Sequence, residues 1–256
     1  PRNYRSPVGT PTFLLLPPSE GKALGGTRAR GSGPFDAALR ARRRTVAEAL
    51  AAACAADPRT REKVFGARGD LLVRAEGAAR ALAAGTAPRL PAWQRHAGVV
   101  WTHLDPGSLP ATDRARILVP DAVHGLTTAE DRIADFRCKM SVSLPDLGGL
   151  ARWWRPAVTD ALVAHCAGAT VIDLLPAEHA AAIDVEALAA VAEVVPVEFV
   201  TATGRAVGHD AKAVKGAFAR HLLDHGLDAA TRFRAPGWRV TRSRPGPRAT
   251  VTVTAR

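Results

Sequence analysis

The chain has 256 residues and a formal net charge of +11, with 47% hydrophobic and 23% charged residues. That balance excludes a disordered or fibrous chain, and no run approaches the roughly 18 apolar residues of a membrane span. The excess of base suits a polyanionic partner or an acidic small ligand, although arginine-rich codon usage raises the charge as well.

Residues 1–12 carry arginine and proline but no apolar core of a signal peptide, and they are expected to form a flexible extension ahead of a single domain over 13–256. The first strand is expected at Phe13-Leu14-Leu15-Leu16, stopped by Pro17-Pro18. Helical patterns follow over 35–56 and 60–84, the second interrupted near Gly66-Ala67-Arg68-Gly69, and make an N-terminal helical insertion. Strand and helix patterns then alternate. Ile117-Leu118-Val119 and Ser141-Val142-Ser143-Leu144 read as strands, and 150–166 as a helix. Thr170 to Leu174 and Val194 to Thr201 read as strands, and 209–224 as a helix. Trp238 to Arg242 and Thr250 to Thr254 read as a hairpin closed around Pro245-Gly246-Pro247. This alternation predicts an α/β fold with a mixed sheet.

Three segments carry chemistry. Ser19-Glu20-Gly21-Lys22 follows the first strand, the usual address of a site in a sheet protein. It is not a Walker loop, since Ala23 stands where the hydroxyl belongs. The alternative is a solvated turn. In Arg137-Cys138-Lys139-Met140, a strand would put Arg137 and Lys139 on one face, where two cations suit a carboxylate or phosphate. Ion pairs with Glu130, Asp131 or Asp135 are the alternative. On the third segment, His209, Lys212 and Lys215 span roughly 120° of helical arc at about 100° per residue, and Gly216 admits a close backbone approach. Ordinary helix surface is the alternative there. Together these segments predict one basic pocket. In it Glu20, Lys22, His209 and Lys212 would carry proton or nucleophile chemistry, and Ser19, Gly21, Arg137, Lys139, Asp173, Lys215 and Gly216 would hold an anionic ligand.

The remaining signals are weaker. His221 and His225 have metal-pair spacing but lack an accompanying Glu, so no metal and no cofactor is expected. Arg40, Arg42, Arg43 and Arg44 make a basic run that suits either phosphate backbone or solvent. Cys54, Cys138 and Cys166 are odd in number and widely spaced, which argues against a disulfide framework and for the cytoplasm.

The ordered set of Phe13 to Lys22, Asp131-Arg132-Ile133, Phe136 to Met140, Trp153 to Ala157, Val171 to Leu174 and His209 to Gly216 resembles the YaaA family of peroxide stress proteins, over about Phe13 to Val240. The resemblance implies a mixed α/β fold with a helix-hairpin-helix-like element. It also implies a cytoplasmic role in limiting iron-dependent damage under peroxide stress, with DNA binding. The hairpin would fall near Val123 to Leu126, where Thr127 and Glu130 read as a capping box opening a helix. His124, Phe136, Leu175, Pro176 and His179 depart from the family pattern. These departures leave a second reading open: an enzyme using Lys, His or Glu chemistry on a small anionic or nucleotide-like substrate, with specialised biosynthesis as its setting.

Overall fold

The computed structural model describes residues 10–28, 33–204, 211–243 and 250–255. Among these, seven strands form one sheet: β1 (Thr12–Leu15), β2 (Ile117–Asp121), β3 (Gly125–Thr128), β4 (Thr170–Asp173), β5 (Glu193–Val200), β6 (Trp238–Arg242) and β7 (Val251–Ala255). Their order is β6-β7-β5-β4-β1-β2-β3. β1 runs parallel to β2 and β4, β4 to β5, and β5 to β7, whereas β2–β3 and β6–β7 are antiparallel. The sheet is therefore mixed, as the alternation of patterns predicts.

Both faces of the central strands are covered, which is why they read as unbroken apolar runs. Leu14, Ile117, Val119 and Ile172 pack into one core with Trp101, Leu104, Phe218 and Leu222. Leu15, Leu118 and Val171 pack into another with Leu39, Val46, Trp154 and Leu162. The helices α1 (Asp36–Ala53), α2 (Pro58–Phe65) and α3 (Gly69–Ala83) fall between β1 and β2 in the chain and form the expected helical insertion. α2 opens at Asp57, whose side chain accepts from Thr60 N–H at 3.1 Å, with Pro58 in the first turn. α4 (Val99–Leu104) and α6 (Ala211–His225) lie on one side of the sheet, and α5 (Leu150–Cys166) lies on the other with α1. No helix among the described residues is long and apolar enough to cross a membrane.

The chain leaves β1 toward β2 on one side and leaves β4 toward β5 on the other. β1 and β4 are neighbours, so the topological switch point lies between their carboxyl ends, where open α/β sheets bind ligands.

Several expectations are corrected. The first strand starts at Thr12, one residue before its expected start, and Thr170 N–H donates to the Pro11 carbonyl at 2.8 Å. Residues 136–139 form no strand, and the ladder expected over Ser141–Leu144 is only Ser143–Leu144 against Gly148–Gly149. The helix-hairpin-helix-like element is absent from 123–128, which instead form the tight turn between β2 and β3 and β3 itself. Gly125 has φ +72, and a Cβ there would lie 2.6 Å from the Trp154 ring. Asp131 closes the next turn by accepting from Thr128 N–H and Oγ–H at 3.0 and 2.9 Å, while Glu130 pairs with Arg114. The capping-box spacing thus served a strand exit. The expected hairpin tip, Pro245-Gly246-Pro247, lies outside the described residues, although its two strands pair as expected.

Candidate functional site

The loop after β1 is held by its neighbours. Trp101 Nε1–H donates to the Pro17 carbonyl at 3.1 Å. Ser19 N–H donates to His96 Nδ1 at 3.3 Å, and Ser19 Oγ accepts from Ala97 N–H at 3.1 Å while donating to the Gly21 carbonyl. Ser19 is therefore occupied as a pin of the loop. An Nδ1 that accepts leaves the neutral His96 proton on Nε2, which is buried without a partner among the described residues. Burial, reinforced by the charge of Lys22, holds His96 well below the ordinary imidazole range.

Lys22 turns inward. Its Nζ donates to the Ser19 carbonyl and sits 4.2 Å from the centre of the Phe136 ring. Desolvation lowers its pKa to about 8, against the attraction of Asp121 and Asp135. Asp121, wholly buried at the end of β2, accepts from Val123 N–H and His124 N–H at 2.7 Å each and pairs with His124 Nδ1 at 3.2 Å. Its burial opposes ionisation, but His124 and these hydrogen bonds outweigh it and keep the carboxyl well below its usual range. Arg74 ties the outer side, donating to the Lys22 carbonyl at 2.9 Å and pairing with Asp135 at 2.8 Å.

Although residues 136–139 are irregular, Arg137 and Lys139 still converge. They lie 4.0 and 3.4 Å from the exposed Glu20 carboxylate. Arg137 also donates to the Gly66 carbonyl, the C-terminal end of α2. Glu20 takes the place of the partners Glu130, Asp131 and Asp135 considered from the sequence.

Ser19, Glu20, Lys22, Trp101, Phe136, Arg137 and Lys139 border a cavity of about 610 Å³ over the carboxyl ends of β1 and β4. Its walls are the 17–22 loop, residues 98–101 of α4 and its entry, residues 136–139, Pro176, Glu178 and His179 after β4, Phe65, Phe199, and Ala211, Lys212 and Lys215 of α6. Ser19, Glu20, Gly21, Lys22, Arg137, Lys139, Lys212 and Lys215, expected from three distant segments, thus share one cavity. His209 lies outside the described residues. Gly216 does not line the cavity: a Cβ on it would lie 2.2 Å from the Val100 carbonyl oxygen, so it lets α6 pack against α4. Asp173 is set back and acts through its attraction on Lys215. Its carboxylate accepts from Leu175 N–H at 2.8 Å, and burial raises its pKa.

The sequence left four participants unmarked. His96 and Trp101 belong to no recognisable motif. Asp121 carries a signal in retrospect: a charge closing the apolar run Ile117 to Pro120 at a strand's carboxyl end. Glu178 lines the cavity too, but Ser141 N–H and Oγ–H engage it at 3.1 and 2.8 Å. His221 and His225 lie ring to ring at 4.7 Å, and among the described residues no His, Cys, Asp and Glu group has the arrangement of a metal site. The basic run on α1 is partly consumed. Arg42 donates to the Trp153 carbonyl at 2.8 Å, and Arg43 donates to the His124 and Leu126 carbonyls at 2.7 Å each.

Residues 13–243 match the family model described as peroxide stress protein YaaA. A UPF0246 protein of Streptomyces coelicolor is 33% identical over 221 residues, 84% of each chain. A UPF0246 protein of Corynebacterium glutamicum strain R is 31% identical over 233 residues, 86% of this chain and 88% of its own length.

Proposed function

The chain belongs to the YaaA family of peroxide stress proteins, and on that premise we propose that it serves peroxide-stress protection by binding a small anionic ligand in the cavity at the switch point. One observation carries the proposal. Lys22, Arg137, Lys139, Lys212 and Lys215 line this cavity together, whereas its carboxylates among the described residues are Glu20 and the Ser141-bound Glu178. Like charges gathered in a partly desolvated cleft repel one another, and a bound anion relieves that repulsion. The aromatic and proline walls suit a ligand with an apolar body and an acidic end.

The ligand would meet Lys139 and Arg137 first, because Lys139 is half exposed beside Glu20. Lys22 and Lys215 are more buried and contribute charge, with no carboxylate among the described residues in a salt bridge with either. Three free cysteines suit a reducing compartment, the cytoplasm of the family's expected role. DNA binding, the other family expectation, draws support from the net charge of +11 and takes none from 123–128 or from Arg42 and Arg43.

Thermal-shift titration with phosphate, pyrophosphate and oxalate tests the proposal, alongside duplex DNA over a range of salt. Saturable stabilisation by a small anion, lost on Lys139→Glu, is the expected result. Stabilisation by DNA alone, falling steeply with salt, would instead favour the nucleic-acid role.

A further inference from the structure

Lysine is scarce in this chain. Lys22, Lys63, Lys139, Lys212 and Lys215 are its five lysines among 35 Lys and Arg residues, so the other thirty are arginine. Four of the five line the one cavity of about 610 Å³, and Lys63 is exposed on α2. Arginine grips a carboxylate or phosphate at least as well as lysine does. What arginine lacks is access to a neutral amine, the form that attacks a carbonyl carbon. A chain that uses arginine for nearly every other positive charge has kept lysine where an amine faces a cavity.

Lys215 is the lysine best placed for that chemistry. Its Nζ donates to the Leu174 main-chain carbonyl at 2.7 Å and lies 5.1 Å from the centre of the Phe199 ring. It is largely removed from water, and Asp173 offsets its charge from farther off. His179 lines the same cavity, and its Nδ1 is buried without a partner among the described residues. Burial keeps that imidazole neutral against the pull of Glu178 and Asp121, with help from the charge of Lys215.

We propose that Lys215 captures a small oxo acid, a carboxylate-bearing aldehyde or ketone, as an imine in this cavity. The proposal rests on the anion-binding function above, because Arg137 and Lys139 are the groups that would hold the carboxylate. The neutral Nζ adds to the carbonyl carbon; a C–N bond forms and the C=O electron pair moves to oxygen. His179 relays the proton lost by nitrogen to that oxygen, giving the carbinolamine. The second nitrogen proton passes to the hydroxyl through the same imidazole, and water leaves as C=N forms. Nothing is oxidised or reduced.

Trapping decides the matter. The whole chain is incubated with glyoxylate and sodium cyanoborohydride at about the Lys215 pKa, then weighed intact and mapped by peptide. The expected result is one carboxymethyl group per chain, on Lys215. It should form on the order of tenfold faster there than on Lys63, whose amine is exposed on α2. Lys215→Arg should lose the adduct, whereas Lys63→Arg, away from the cavity, should keep both the adduct and the rise in melting temperature with phosphate. Labelling that favours Lys63 or spreads over all five lysines overturns the proposal. So does an unlabelled Lys215 in a protein that still binds phosphate, and in that case anion binding stands. If neither trapping nor anion binding is seen, the underlying function fails with it.

Discussion

Gly216 on α6 stands so close to α4 that a Cβ on it would lie 2.2 Å from the Val100 carbonyl oxygen. The same two helices supply Val100, Trp101, Lys212 and Lys215 to the cavity wall, so this contact sets the cavity's width. Gly216→Ala discriminates between packing and exposure. At an exposed helical site the change would add up to about 1 kcal/mol of stability. Here overpacking should cost about 1–3 kcal/mol. Chemical denaturation should show the loss, together with weakened anion binding.

Lys139 lies at the cavity mouth with Glu20 as its partner, and little else depends on it. Lys139→Ala should weaken anion binding about tenfold, roughly 1.4 kcal/mol. Its melting temperature without anion should stay close to that of the parent, because exposed ion pairs contribute about 0–1 kcal/mol. Arg137→Ala should do both kinds of harm, since Arg137 also holds the Gly66 carbonyl.

Lys215 gives a pH signature. Burial lowers its pKa from 10.5 to about 8 in the folded chain. The unfolded state therefore binds more protons than the folded state between those values, and this residue's contribution to stability rises with pH across that window. Below about pH 8 the full penalty is present, of the order of 3 kcal/mol by the shift. Lys215→Met should therefore be more stable than the parent at pH 7, and the gap should shrink toward pH 10. Urea denaturation of both proteins across that range checks it, and a constant gap would exclude titration as its source.

Cys138 lines the cavity of a peroxide-stress family member, yet burial, aided by Asp121 and Glu178, pushes its thiol up to about 12. Peroxide reacts with the thiolate, so Cys138 should be inert at neutral pH. Treatment with hydrogen peroxide and a sulfenate-specific probe should leave Cys138 unlabelled, and Cys138→Ser should preserve anion binding.

Arg43 belongs to a run that reads as a phosphate-backbone grip, but it donates to the His124 and Leu126 carbonyls and pairs with Asp36. Arg43→Ala should destabilise the protein by at least about 2 kcal/mol, because it leaves two carbonyls and a carboxylate short of a charged donor. A loss of DNA affinity without loss of stability would contradict this.

What the sequence made legible follows from the range of the interactions involved. Thr12–Leu15, Thr170–Asp173 and Leu150–Cys166 declare themselves through local apolar patterns, each within a residue of its expected span. Glu20, Lys22, Arg137 and Lys215 announced themselves as charges beside strand ends or on a helix face. Their convergence on one cavity follows from the strand order. The turn at Gly125 was misread because its cause lies in Trp154, whose ring fills the space a side chain would need. His96 and Trp101 were silent for the same reason: what they do depends on Ser19 and Pro17, far away in the chain.

The five lysines also provide the most direct test of the central claim, that an anion binds among Lys22, Lys139, Lys212 and Lys215. With isotope-labelled lysine, the chain should give five side-chain NMR signals, of which Lys63 is the built-in control. Titration with phosphate should move the four cavity signals along one saturable curve and leave Lys63 in place. Uniform drift of all five signals, or no saturable change in any, would contradict the account.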